Sequence, residues 1–144
     1  MENILKYEYA LFQGLADIEQ KIRYLKEKGL KVSLVDKESI KDYREIEHAV
    51  YILANRIYLK QLSSKLENEF LLLISGERQF DRAIQQCGAK NNKDFILVSF
   101  EKDKTLDQIA TELGLTKIGG YAEKIDKSKL LEIFEIKTIN LLKD

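Results

Sequence analysis

The fold of this chain is decided by one segment, residues 64–88, which reads SKLENEFLLLISGERQFDRAIQQCG. Its longest apolar run, residues 70–74, fits either a buried strand or a buried helix on periodicity alone. Ser64 and Glu67 have the spacing of a capping box before this run, and Gly76 after it is a typical helix stop. The segment therefore predicts a buried helix that ends at Gly76.

A second short helix is predicted directly after this glycine. The apolar residues that follow recur at helical spacing and end before Gly88; they are Phe80, Ala83, Ile84 and Cys87. The junction between the two helices, residues 76–78, is called the elbow below. Backbone N–H groups at the start of a helix are free to bind anions, so the elbow is a candidate binding site.

The first third of the chain predicts a strand, a helix and a second strand. Residues 7–15 alternate loosely and are rich in aromatic side chains, as in a strand. Asp17 and Gln20 have capping-box spacing, and Gly29 is the expected stop of the helix between them. Residues 30–35 alternate apolar and polar side chains, which is typical of a half-buried strand. This order is that of one βαβ unit.

The remaining chain adds further helices and one clear strand. A polar connection at residues 39–44 precedes a helix predicted over residues 46–62. Residues 94–100 predict a buried strand, residues 105–114 a capped helix, residues 119–120 a glycine loop and residues 127–142 a terminal helix. We therefore expect one α/β domain over residues 1–144, or an α+β one, whose sheet of three to five strands is flanked by several helices. Whether the strands are parallel or mixed is left open.

Composition argues against a disordered, a disulfide-stabilised or a membrane-spanning protein. The chain has 144 residues, 44% hydrophobic and 33% charged, which is a globular balance with room for one core. The formal net charge is zero, so any site for a nucleic acid must be local. The single cysteine excludes an internal disulfide and fits a reducing cytosol. We expect a cytoplasmic protein without signal peptide or membrane span.

No residue pattern indicates catalysis. The common phosphate-binding and zinc-binding motifs are absent from the sequence. His48 is the only histidine and lies on a predicted helix, where a packing or surface role is commoner than a catalytic one. Cys87 lies on an apolar helix face and is expected to be an inert buried thiol. We therefore expect no enzyme activity, no cofactor and no metal.

Local charge is the one feature that points to a nucleic acid. Within residues 54–93 the basic side chains are Arg56, Lys60, Lys65, Arg78, Arg82, Lys90 and Lys93, and the acidic ones are Glu67, Glu69, Glu77 and Asp81. Single-stranded nucleic acid needs stacking or apolar surfaces beside such cations, and Ile74 and Phe80 border the elbow. The alternative is an ordinary basic surface over a helix that faces the core.

An ordered set of short motifs resembles one known family. His48-Ala49 leads a helix, and Glu69-Phe70-Leu71-Leu72, Ile74-Ser75-Gly76, Arg78-Gln79-Phe80, Ala83-Ile84 and Gly88 follow in that order. This series resembles the kinase-binding subunit of the KEOPS complex, the family of the p53-related-protein-kinase-binding protein. The similarity is best over residues 48–100, and the archaeal members have the same small size.

The resemblance implies a non-catalytic subunit with a small α/β fold. Members of the family dock on the N-lobe of the small atypical kinase/ATPase subunit of KEOPS and stimulate it. The complex makes threonylcarbamoyladenosine in tRNA, and archaeal members bind the single-stranded 3′ CCA end. No membrane and no DNA are expected as partners.

These implications place the tRNA end at the elbow. Ile74, Ser75, Gly76, Arg78 and Gln79 would form its floor and its phosphate donors, and Arg82 lies beside them. Arg56 and Lys60, four residues apart on the preceding helix, would add charge from the same face. Carry-over from the family is direct only for the Ser75-Gly76-x-Arg78-Gln79 motif.

Two other functions stay open at this point. One is a protein-only regulatory adaptor of the kinase without RNA contact, and the other is a small enzyme with an unfamiliar site. The kinase contact is expected on a hydrophobic helical surface. The terminal helix, with Phe134 and Leu141, is one candidate, although its apolar face could equally pack on the sheet.

Overall fold

The computed structural model describes residues 5–59 and 65–142, with side chains at positions 5–55 and 65–138. Within this part of the chain the elements, in order, are β1 (Glu8–Phe12), α1 (Ile18–Lys28), β2 (Val32–Asp36), a 3-10 turn (Lys37–Ser39), α2 (Tyr43–Leu59), α3 (Leu66–Ser75), α4 (Phe80–Cys87), β3 (Phe95–Ser99), α5 (Leu106–Leu113), β4 (Lys117–Gly119) and α6 (Lys127–Leu142). The predicted α/β class is confirmed.

The strands form one sheet in the order β2-β3-β1-β4, with every neighbouring pair antiparallel. β1 and β2 therefore run parallel to each other, with β3 inserted between them. The predicted strand-helix-strand unit is present, but its two strands are not neighbours. β2 and β4 are the edges of the sheet.

Helices cover both faces of the sheet, so β3 is buried on both sides. Phe95 and Leu97 of β3 face the layer formed by α1 and α5, whereas Ile96 and Val98 face the layer formed by α2, α3 and α4. A strand alternates its side chains between two faces, so a strand apolar at every position needs cover on each side. The result is a helix-sheet-helix sandwich.

Helix starts agree with the sequence prediction at two of three capping sites. Thr105 forms a complete capping box with Gln108, and the Asp17 carboxylate accepts the Gln20 N–H at 3.3 Å. The third start is different, since the N-cap of α3 is Lys65, without a side-chain capping bond. The predicted cap, Ser64, lies outside the described residues.

One strand was not predicted from the sequence. Residues 117–119, expected to lead into a loop at Gly119, form β4 and pair with Leu11 and Phe12 of β1 across an irregular register. β4 has only three residues, Lys117, Ile118 and Gly119, which are too few to show the alternation of apolar and polar side chains that predicts a strand.

Candidate nucleic-acid interface

The elbow is a tight turn built around Gly76. This residue ends α3 with a left-handed φ of 72°, and its N–H donates to the Leu72 carbonyl at 3.0 Å. The Ser75 hydroxyl donates to the same carbonyl at 3.1 Å and accepts the Glu77 N–H at 3.1 Å. Because a side chain at such a φ is strained, glycine is the residue that lets α3 stop here.

The inner side of the elbow is covered by α6. A Cβ at Gly76 would lie 2.8 Å from Cγ and 3.1 Å from Cα of Lys137. Ile74 is 1% exposed and Ser75 is 7% exposed. The prediction that Ile74, Ser75 and Gly76 form the floor of the RNA site is therefore wrong, because these residues are buried in the folded chain.

The outer side of the elbow is open to solvent. Arg78, Gln79 and Arg82 are exposed, and neither arginine forms an ion pair with another described residue. Gln79 is the N-cap of α4 and provides no side-chain capping bond. This face can therefore offer guanidinium and helix N–H donors to an anion. Glu77 and Asp81 balance the charge of the two arginines, so the face supplies individual contacts and no strong positive field.

The two basic residues predicted on the preceding helix remain untested. Arg56 lies on α2, at a position whose side chain is not described, and Lys60 lies outside the described residues. Their predicted contribution to the elbow stays a prediction.

His48 is a packing residue at the interface of α2 and α6. Its ring stacks on Phe134, with 4.2 Å between the ring centres and 20° between the planes. Burial, together with the nearby positive charge of Lys137, lowers the pKa of His48 below its ordinary value. The imidazole is therefore neutral at physiological pH.

The predicted buried thiol of Cys87 is confirmed. The side chain is 5% exposed, and burial raises the pKa of the thiol, which opposes thiolate chemistry. Within residues 5–59 and 65–142, His, Cys, Asp and Glu side chains form no group of three or more that could hold a metal ion.

A buried ion pair fastens α6 beside the elbow. Lys137 Nζ lies 2.7 Å from Glu45 Oε1, and the Glu45 side chain is only 2% exposed. The other Glu45 oxygen accepts the backbone N–H groups of Lys41 at 2.7 Å and Asp42 at 3.0 Å. One carboxylate thus joins the start of α2 to α6, the helix that covers Gly76.

A second buried carboxylate, Asp42, links α2 to the segment before α6. Its Oδ1 accepts the Arg44 backbone N–H at 2.8 Å, and its Oδ2 accepts the Ile125 N–H at 2.9 Å. The Arg44 guanidinium adds two more bonds, at 2.9 and 2.7 Å. The hydrogen bonds from Arg44, opposed by burial, hold the pKa of Asp42 well below its ordinary value.

The structure also shows a tyrosine patch that sequence reasoning missed; it consists of Tyr7, Tyr9 and Tyr43. The Tyr7 and Tyr9 rings are stacked at 6.0 Å. Burial, then the Glu47 carboxylate, raises the pKa of Tyr9 to about 12.

Sequence spacing could have revealed the patch. Tyr43 lies four residues before Glu47 on one helix face, and Tyr7 and Tyr9 share one face of a strand. The Arg44 guanidinium and the Lys124 ammonium lie 6.0 and 5.8 Å from the centre of the Tyr43 ring. These rings are half-buried. Tyrosine rings beside cations can stack on bases, although Glu47 repels phosphates.

Comparison of the sequence with protein-family models and with curated proteins finds no match to either. Across the described ranges, no helix combines the length and the apolar character needed to cross a bilayer. The residues themselves therefore carry the functional argument.

Proposed function

We propose that this chain is a non-catalytic cytoplasmic subunit of a KEOPS-type complex. It binds and stimulates the atypical kinase/ATPase subunit and binds the 3′ CCA end of tRNA, in support of threonylcarbamoyladenosine modification. The observation that carries the proposal is that the Ser75-Gly76-x-Arg78-Gln79 motif falls on one feature, an elbow that turns at Gly76 and exposes Arg78 and Gln79 at the start of a helix.

The RNA contact belongs on the outer face of the elbow. Arg78, Gln79 and Arg82 are exposed there, whereas Ile74 is in the core. A short single-stranded end needs a few phosphate donors and a stacking surface, and does not need a strongly basic protein. The zero net charge of the chain is compatible with that modest demand.

We expect the double variant Arg78→Ala/Arg82→Ala to bind tRNA about tenfold more weakly, because it loses two charge-assisted phosphate contacts. The slope of log affinity against log salt should fall by about 1.4, since each contact to a single strand contributes ~0.7. Titration of a labelled tRNA at several salt concentrations measures both quantities. The matched control is Arg23→Ala, an exposed arginine on α1, which should bind like the unchanged protein.

The contribution of the CCA end to binding is tested with a tRNA that lacks this end. Removing the end should weaken binding as strongly as the double variant does, and the two losses should not add. Equal binding of both tRNAs would place the RNA elsewhere on the protein. A substitution of Ile74 is unsuitable for this test, because a polar residue at a core position unfolds the site it is meant to probe.

The kinase contact is proposed on the exposed side of α6. Leu131 and Ile136 are 54% and 59% exposed. Because they are five residues apart, they lie about 140° apart around α6 and border its solvent-facing side, which a partner that covers this side would bury. Phe134, one of the predicted contact residues, is half-buried and stacks on His48. The side chain of Leu141, the other, lies outside the described part.

The variant Leu131→Glu/Ile136→Glu should weaken kinase binding by tenfold or more, which is about 1.4 kcal/mol or more, because carboxylates buried in an interface are costly. Stimulation of the ATPase should fall by a similar factor when the kinase is not saturated. Gel filtration with the purified kinase subunit and an ATPase assay measure the two effects. Ile118→Glu on β4, where Ile118 is 53% exposed, is the matched control and should change neither. Full stimulation by the double variant would remove α6 from the interface.

A protein-only adaptor of the kinase is the second candidate function. The observation that favours it is the balance of Arg78 and Arg82 by Glu77 and Asp81 at the elbow, together with the burial of Ile74. Stimulation of the kinase without measurable binding of either tRNA would support this function over the first.

A further inference from the structure

The outer edge of β2 is the floor of an apolar groove with a volume of about 250 Å³. α1 forms one wall with Ile22 and Leu25. α3 and α4 form the other wall, with Leu71, Phe80 and Ile84. The groove shares α4 with the elbow, since Phe80 and Ile84 line it on the helix that also carries Arg82. Among the described residues, none of α6 lines the groove.

The pairing of β2 shows which backbone groups face this groove. The Phe100 N–H donates to the Lys31 carbonyl at 2.9 Å, so alternate residues beginning with Lys31 bond to β3. The residues between them, Val32 and Leu34, direct their N–H and C=O groups outward. The Leu34 carbonyl accepts the Ala89 N–H at 3.1 Å. Among the described residues, nothing pairs with either backbone group of Val32 or with the Leu34 N–H.

These unpaired groups are nearly buried, which makes a partner energetically important. Val32 is 6% exposed and Leu34 is 7% exposed. Unpaired N–H and C=O groups that are shielded from water cost free energy comparable to a lost hydrogen bond. Glu67 also lines the groove, and its Oε2 is buried without a hydrogen-bond partner in the described part of the chain. Two donors and two acceptors therefore converge on one apolar site.

We propose that this groove binds a short extended peptide of another protein, which adds to β2 as an extra strand. An extended chain supplies alternating N–H and C=O groups at the repeat of the Val32 and Leu34 groups, which a single small molecule does not. At one end of β2 a segment of this same protein already pairs with the outer edge, since Gly88 forms an antiparallel bridge with Val35. The peptide continues that pairing towards Val32.

The walls and rim define the chemistry of the peptide. An apolar side chain fills the groove between Leu25 and Ile84, and a backbone or side-chain N–H donates to Glu67 Oε2. Lys26 and Lys31 are exposed at the rim, so acidic residues flank the apolar centre of the peptide. The partner is therefore an acidic, apolar-centred segment without secondary structure of its own.

The test is selection of a randomised heptapeptide library displayed on phage against the whole chain, followed by synthesis of the enriched sequences. We expect enriched peptides to carry apolar residues flanked by Asp or Glu. Their binding should slow exchange of the Val32 and Leu34 amide protons. Methylation of alternate peptide nitrogens, which blocks strand pairing but keeps every side chain, should weaken binding about tenfold or more.

Two variants complete the test. Ile84 is 41% exposed, so Ile84→Glu leaves the fold intact while placing a charge in the groove, and binding should fall by about tenfold or more. Ile118→Glu on the opposite edge strand should bind unchanged. The proposal is overturned if no enriched peptide is sensitive to Ile84→Glu, or if N-methylated peptides bind equally well. Protection confined to the groove walls, without Val32 and Leu34, would show a small-ligand pocket instead and would also overturn it.

Discussion

Replacing Asp42 by alanine should lower the free energy of unfolding by about 3 kcal/mol, measured by urea denaturation. The side chain is fully buried, caps α2 through the Arg44 N–H and holds the Ile125 N–H. Alanine leaves both donors and the Arg44 guanidinium without this acceptor. The matched control is Asp17→Ala, an exposed N-cap on α1, which should cost about 1 kcal/mol.

The loss at Asp42 should also depend on pH. The folded protein lowers the pKa of this carboxyl, so its contribution is complete above the ordinary value of about 4 and decreases as pH falls below it. The stability difference between the unchanged protein and Asp42→Ala should therefore be constant from pH 6 to about 5 and shrink towards pH 3. A difference that grows on acidification would contradict the assigned hydrogen bonds.

Gly76→Ala should destabilise the protein by about 3 kcal/mol, by the same measurement. About 1–2 kcal/mol comes from placing a side chain at a left-handed φ, and the remainder from overpacking. The added Cβ would lie 2.8 Å from Lys137 Cγ and 3.1 Å from Lys137 Cα. Movement of the lysine side chain alone does not relieve the second contact, so α6 has to shift.

Gly114→Ala is the matched control for that variant. Gly114 has nearly the same backbone conformation, with φ of 69°, but nothing lies within 4 Å of a Cβ built there. It should therefore show the conformational cost alone, about 1–2 kcal/mol. Equal losses at the two glycines would mean that α6 does not press on the elbow.

Local signals in the sequence predicted most elements, because they act within a few residues. Thr105 and Gln108 marked the start of α5, and Gly76 marked the end of α3. β4 escaped prediction because its three residues become a strand only by pairing with β1, which lies far away in sequence. The antiparallel order was equally hidden, since a strand buried on both faces is apolar whatever the direction of its neighbours.

The candidate site was predicted less well than the fold. The sequence identified the elbow, but whether Ile74 faces water depends on where α6 packs, and α6 is formed by residues far along the chain. Apolar residues near a glycine turn look the same in either case. The groove at β2 was not predictable either, because an edge strand is defined by sheet order and not by its own residues.

The position of β3 has a consequence for synthesis of the chain. Within the described residues, β2 pairs with β3, and β1 pairs with β3 and β4. Both of these partner strands come later in the chain, and the first of them begins at Phe95. A nascent chain that ends before Phe95 has two apolar strands and no centre to join them. The sheet therefore assembles only after β3 has left the ribosome, and until then the two early strands lack their partner and are prone to aggregation.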